Sequence, residues 1–421
     1  MVQKTKKRKA ILFLLMFAVS HMFWAQQQKE HEGPKIKRQL LLEDLEVLKR
    51  NLELAQPGLY NYTPKKEMDA FFEDVENTID KDLSSIEFFR IIAPLSNKIR
   101  NGHTILVPAS AWEDAVITQM KLLPLDLYHY KGDLYVLRNL SDADSIKTGS
   151  ILKSINGKPA KEVFDAMVDR WFKDGYNLTR PREIVEEEFR LLYAHFYGAT
   201  DIYTLDIEFH DGKQATLEVK GIKETTFKER LKKRYHLDYV PWWRKSPEPL
   251  AFRIEGNRAY LKVTQFSNVV KSQSGKRFGN FIKSAFKTIA QKKIPNLILD
   301  LRANQGGDVK PQLELLRHLV AKPFHLYGEV HAKVRKLPDP KYYQFNIVSR
   351  TEFKNNFEND KVSGVYPMKN RPGFNTEPQA PSSNLFQGKL YVLTDGWSFS
   401  ASGEVCGIIK EHVKDAIFLG E

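Results

Sequence analysis

Two stretches of the sequence place reactive residue types where an apolar strand gives way to a helix. The first is Asn296-Leu297-Ile298-Leu299-Asp300-Leu301-Arg302-Ala303-Asn304-Gln305-Gly306-Gly307-Asp308, a buried-strand pattern that ends in paired glycines. Lacking Cβ atoms, such a turn lets backbone N–H groups approach a ligand and point at developing negative charge, the chemistry of an oxyanion hole. The second is Leu390-Tyr391-Val392-Leu393-Thr394-Asp395-Gly396-Trp397-Ser398-Phe399-Ser400-Ala401-Ser402-Gly403-Glu404. It sets Ser400 at the start of a helix, with its hydroxyl at the carboxyl edge of a sheet and the next N–H pointing the same way. Taken singly, each has a plainer reading: a tight turn for the glycines, an N-cap for the serine.

The elements around these junctions alternate. Ala259–Val263, Leu297–Leu301 and Lys389–Leu393 have strand character, while Phe278–Gln291, Val309–Val320 and Ser400–Val413 have helical periodicity. That order predicts a largely parallel sheet covered by helices, over residues 251–421. Residues 335–388 interrupt it as an irregular insertion. Upstream, Leu41, Leu45, Leu48 and Leu52, then Met68, Phe71, Phe72, Val75 and Ile79, repeat at helical spacing, with Pro57-Gly58 between them. A third helix over Phe88–Ile99 leads into Asn101-Gly102-His103-Thr104, so residues 36–115 read as a helical cap that delivers His103 to a loop. Short strands at Leu134–Leu137, Ser150–Leu152 and Tyr203–Ile207, with a helix over Val163–Trp171, fill residues 116–222. The basic, aromatic and proline-rich stretch 223–250 reads as a linker, and Lys228–Arg234 as a solvated helix face or part of that linker.

Together the two junctions resemble a known family. "LILDLRANQGGD" is similar to the "DLRxNxGG" segment of tail-specific (C-terminal processing) proteases, and "VLTDGWSFSASGE" to their "SASxE" nucleophile segment, in the same order. Upstream, Gly149-Ser150-Ile151-Leu152-Lys153-Ser154-Ile155-Asn156-Gly157-Lys158 resembles the strand and turn of PDZ domains, which bind extended peptides by adding them to a sheet edge. A packing domain without a ligand is the other reading of that passage. The resemblance implies an α/β multi-domain chain: helical cap, PDZ-like β-rich domain, and a crotonase/ClpP-like protease core.

Carried over by position, it implies Ser400 as nucleophile, with the Ala401 N–H and the Gly306 or Gly307 N–H as oxyanion donors. Ser402, two residues into the helix, is expected to make a local hydrogen bond. Many relatives use a lysine beyond the "GE" that ends the core strand, whereas this sequence stops at Gly420-Glu421, which suggests a shortened core. Tricorn-like relatives use an upstream histidine, and Asn101-Gly102-His103-Thr104 resembles a "DGHT" segment of bacterial relatives. His103 is then the base, since imidazole titrates near neutral pH. Asn101 stands where that segment carries an acid. A histidine merely hydrogen-bonded at a loop is the alternative. The expected activity is serine endopeptidase on extended or misfolded polypeptides. The competing expectations are a catalytically inactive peptide- or ligand-binding protein on the same scaffold, or a peptide-docking adaptor.

Composition bounds the rest. The 421 residues, 42% of them apolar, suffice for two or three cored domains. One cysteine, Cys406, allows neither an internal disulfide nor a Cys-based zinc site, and no histidine shows metal-ligand spacing; no metal or cofactor is expected. Lys4, Lys6, Lys7, Arg8 and Lys9 precede the apolar run Ala10–Trp24, which suits a signal peptide over residues 1–25 cleaved after Ala25. An uncleaved anchor is the alternative; with cleavage, the chain is periplasmic or secreted without a stable membrane span. Net charge of +13 falls to +8 without those five cations, and no nucleic-acid motif accompanies it, so nucleic acid is not an expected partner; the family resemblance implies a polypeptide substrate instead.

Overall fold

The computed structural model describes residues 32–240, 248–336, 338–342, 354–369 and 376–420. The leader expected over residues 1–25, with its cleavage point after Ala25, lies outside the described residues, as do Pro241, Trp242, Trp243 and Pro247 of the expected linker. The chain divides into two compact units, residues 1–49 with 59–239, and residues 50–58 with 240–421. It is a mixed α/β, multi-domain protein.

In the first unit, a two-stranded pair, β1 (Lys35–Ile36) and β2 (Leu83–Ser84), brackets in sequence helices α1 (Arg38–Ala55), whose residues from Arg50 on count with the second unit, and α2 (Lys65–Thr78). Leu41 and Leu45 of α1 and Met68, Phe72 and Val75 of α2 are buried, as their spacing requires. The expected third helix is two helices, α3 (Ser85–Ile92) and α4 (Leu95–Ile99), because Pro94 cannot continue a helix begun upstream. Ser84 and Glu87 form a reciprocal capping box at the start of α3. Arg100, in the left-handed region at φ 50°, then reverses the chain into Asn101-Gly102-His103-Thr104.

After α5 (Ser110–Thr118) comes an antiparallel sheet of β3 (Leu125–Tyr130), β4 (Asp133–Asn139), β5 (Ile151–Ile155), β7 (Ile202–Glu208) and β8 (Gln214–Lys220), in the order β3-β4-β5-β7-β8, with β6 (Lys158–Pro159) paired to β5. Asn156 and Gly157 both have positive φ, the two-residue turn that fits the twist of a hairpin. Helices α6 (Ala160–Arg170), α7 (Thr179–Glu187) and α8 (Phe189–Tyr197) lie between β6 and β7 in the chain; only the first was expected.

The stretch read as a linker opens instead with α9 (Glu224–Tyr235). Phe227 and Leu231 are buried with Leu140 and Ile222, and Arg234 donates to the carbonyls of Asn139 and Ser141 at 3.0 and 2.7 Å. The basic run is thus partly a set of donors for carbonyls after β4, rather than a wholly solvated face.

The second unit is built on a five-stranded sheet ordered β15-β14-β11-β10-β9: β9 (Leu250–Glu255), β10 (Arg258–Val263), β11 (Asn296–Asp300), β14 (Lys389–Thr394) and β15 (Ile417–Gly420). From β10 to β15 the pairs are parallel; β9, absent from the sequence expectation, adds an antiparallel edge. Ala259, Leu261, Leu297, Leu299, Leu390 and Val392 are buried, the near-continuous apolar pattern of strands covered on both faces. Helix α10 (Phe278–Gln291) buries Phe278, Phe281, Ile282, Ala285, Phe286 and Ile289 in this core, each large side chain contributing roughly 1.5–3 kcal/mol. Helix α11 (Val309–Leu316) stops four residues short of the expected Val320, and α12 (Ala401–His412) packs in the same core. Within the insertion a small pair, β12 (His331–Ala332) with β13 (Tyr366–Pro367), is formed. No helix among the described residues is long and apolar enough to cross a membrane.

Candidate active site

Adjacent parallel strands β11 and β14 leave the sheet at the same edge, and their register carries both junctions there together. Asp300 pairs with Leu393, and the ladder continues through Leu301 N–H to Leu393 O at 2.9 Å. Beyond that point the turns are bonded directly to each other. Phe399 N–H donates to Asn304 O at 2.9 Å, and Ser398 Oγ donates to Leu301 O at 2.9 Å. The Asp395 carboxylate accepts from Ala303 N–H at 2.9 Å and from Trp397 N–H at 3.0 Å. Burial pushes that carboxyl above the ordinary aspartate range, although these N–H groups pull it down.

Gly306 sits at φ +100° and Gly307 at φ +135°, where side chains are rarely accommodated. A Cβ on Gly306 would stand 2.7 Å from Ser400 Cβ and 2.9 Å from the Ala401 nitrogen; one on Gly307 would stand 2.1 Å from Phe266 O. The glycine pair is therefore wedged between the Ser400 turn and the chain after β10. Phe266 N–H donates to Gly306 O at 2.9 Å and Asp308 N–H to Phe266 O, which fixes the turn from that side.

Asn304, fully buried, closes the turn from within. Its Nδ2 donates to Val263 O at 2.9 Å, and its Oδ1 accepts from Gly306 N–H at 2.8 Å. The Gly306 N–H is thereby occupied. At the end of β11, Asp300 accepts from Arg302 Nε and Nη2 at 2.9 and 2.8 Å and from the Tyr260 hydroxyl. Burial acts to raise that carboxyl, but the bonds from Arg302 and Tyr260 outweigh it and leave it below the usual range.

Ser400 stands at the N-cap of α12 with φ 54° and ψ −125°, a strained conformation for a side-chain-bearing residue, and is half-buried. It makes no side-chain cap bond, so the plain capping explanation does not hold. Ser402 does not make the local hydrogen bond expected of it; its Oγ is fully buried and unbonded. One turn further on, Glu404 accepts from Gln312 Nε2 at 2.9 Å and the Tyr327 hydroxyl at 2.6 Å.

His103 belongs to the first unit and Ser400 to the second. His103 is exposed on its turn, its backbone N–H donating to Asn101 Oδ1 at 2.9 Å, while Asp174 accepts from Gly102 N–H. A carboxylate does reach this turn, then, but from the loop after α6 and to the backbone. Sequence reasoning did not single out Asp174, Asn304, Asp395 or Ser398. For Asp395 and Ser398 a signal existed in the Asp-x-x-Ser spacing, a common local turn pattern.

With this geometry in view, the segment that carries both junctions is similar to a known family. Residues 257–421 match peptidase family S41. The S41 segment holds both junctions, and with it the resemblance read from their motifs stands. No curated protein matches the chain. Among solved structures, mature CPAF complexed with lactacystin is similar at a TM-score of 0.55 and 14% identity, covering 90% of this chain and 84% of that one. Mature CPAF alone gives 0.52 and 14%, covering 90% and 83%. A "photosystem II D1 C-terminal processing protease" matches at 0.35 and 13%, covering 91% and 81%. The two CPAF matches, at these identities, speak for a shared fold alone.

Proposed function

We propose that this S41 chain is an exported serine endopeptidase of the tail-specific type, cleaving extended or misfolded polypeptides and engaging their carboxyl ends on the PDZ-like region 116–222. In this reading Ser400 Oγ attacks the scissile carbonyl, and its proton passes to His103 and on to the leaving amine. Water then hydrolyses the acyl-enzyme with His103 again as base. The oxyanion is held by the Ala401 N–H and the oxyanion turn. Since Asn304 occupies the Gly306 N–H, the donor on that turn is Gly307, and Gly306 contributes by lacking a side chain.

The observation that carries the reading is the approach of Gly306 to Ser400 and Ala401, where an added methyl would have no room. A glycine pair serving only as a tight turn has no need of a strained serine beside it. Incubation of the protein with an unfolded polypeptide, together with a fluorophosphonate probe, tests it. Wild type should cleave and be labelled at Ser400; Ser400→Ala should lose about 10³-fold or more, and His103→Ala about 10²–10⁴-fold. A folded wild type silent to both substrate and probe would overturn the peptidase reading and favour the binding protein. Unimpaired His103→Ala would remove that histidine from the mechanism.

A further inference from the structure

We propose that Asp395 is the positioning residue that locks the oxyanion turn to the nucleophile turn, holding Ser400 in register with Gly306 and Gly307. The inference rests on the peptidase reading and adds a residue to it. Asp395 lies five positions before Ser400 and acts through the backbone. Its two oxygens face Ala303 N–H at 3.1 and 2.9 Å, and Oδ1 also takes Trp397 N–H at 3.0 Å. One carboxylate thus grips both turns. Besides these N–H groups the carboxylate faces the Ser398 hydroxyl, 3.3 Å from Oδ1, a contact within its own turn.

What it grips is strained on both sides. Ala303 holds φ 60° and Ser400 φ 54°, conformations that persist only where surrounding bonds over-determine them. Ser398 adds the second link: its Oγ accepts Asp395 N–H at 3.1 Å and donates to Leu301 O. Remove the carboxylate, and Ala303 N–H and Trp397 N–H lose their acceptor together. The oxyanion turn can then drift from Ser400, and misplacement by about 1 Å is enough to cost about 10²-fold in rate.

The test compares wild type, Asp395→Ala, Asp395→Asn and Ser398→Ala by the rate of fluorophosphonate labelling at saturating probe, and by amide hydrogen exchange of residues 301–307. An asparagine Oδ1 can still accept both N–H groups. Expected are a labelling rate at least about ten-fold lower in Asp395→Ala with probe affinity little changed, faster exchange at 301–307, and recovery to within about three-fold in Asp395→Asn. Wild-type labelling and exchange in Asp395→Ala overturn the proposal, as does an asparagine variant no better than alanine. Should Asp395→Ala fail to fold, Ser398→Ala and Asp395→Asn decide, the first expected to be impaired and the second not. A wild type that never reacts with the probe sinks the peptidase reading, whereas the exchange measurement still decides whether Asp395 locks the turns.

Discussion

At Gly306 a single methyl group separates the arrangement described from one that could not form. A Cβ there would meet Ser400 Cβ at 2.7 Å, with φ already at +100°, so backbone rather than a flexible side chain would have to yield. Gly306→Ala should therefore reduce fluorophosphonate labelling by about 10²-fold or more, as loss of oxyanion stabilisation does. A cooperative thermal melt would show that the fold remains. Gly306, Gly307 and Ser400 were legible in the sequence because residue type alone says what they permit: no Cβ, or a hydroxyl at a helix start. Asp395 and Asn304 were not, since each bonds a neighbour two positions on, Trp397 or Gly306, but takes its linking partner, Ala303 or Val263, from a distant segment. Ser402 was misread for a related reason. A serine in a helix suggests a local bond, but the packing of α12 leaves its Oγ enclosed and unbonded.

Among the elements, the parallel strands were readable because both faces are covered and their apolar runs are nearly unbroken. Strand β9 and helix α9 were not. In α9 the cations of Lys228–Arg234 obscure a two-residue apolar stripe, Phe227 and Leu231, spaced four apart. Proline and tryptophan downstream then extended the impression of a linker. The structure makes this helix part of the first unit, with Phe227 packed in a small buried cluster and the Arg190 guanidinium 3.7 Å above its ring. Phe227→Ala should cost about 3 kcal/mol in urea unfolding, whereas a true linker residue would change stability by less than about 0.5 kcal/mol. Pro94 carries the opposite lesson, because its effect of dividing one expected helix into two was available from the sequence.

For the molecule as a whole, stability against pH should bear the mark of Glu188. Burial pushes its carboxyl up to about 7; Glu224 and Asp126 push the same way and Arg190 opposes. Arg190 is itself committed to Glu224 at 2.5 Å, both nearly buried. Below the unfolded value of 4.5 both states hold the proton and Glu188 costs nothing. Between there and about 7 the folded state retains a proton that the unfolded state has lost, so stability falls as pH rises and levels off above. Glu188→Gln should stabilise the protein by up to about 3 kcal/mol at pH 8, with the gain shrinking to nothing near pH 4.5. Urea titrations at the two pH values check this, and an equal gain at both would refute it.

The bonds that fasten the candidate site, Ala303 to Asp395 and Leu301 to Ser398, join residues 92 and 97 positions apart. During synthesis the glycine turn emerges long before the serine turn, and neither has its counterpart until β11 and β14 zip together. A nascent chain is at its most cleavable in that interval. Under the proposed peptidase reading, hydrolytic geometry would arise only as the molecule's own backbone withdraws into an ordered sheet, and the connectivity itself would restrain self-digestion.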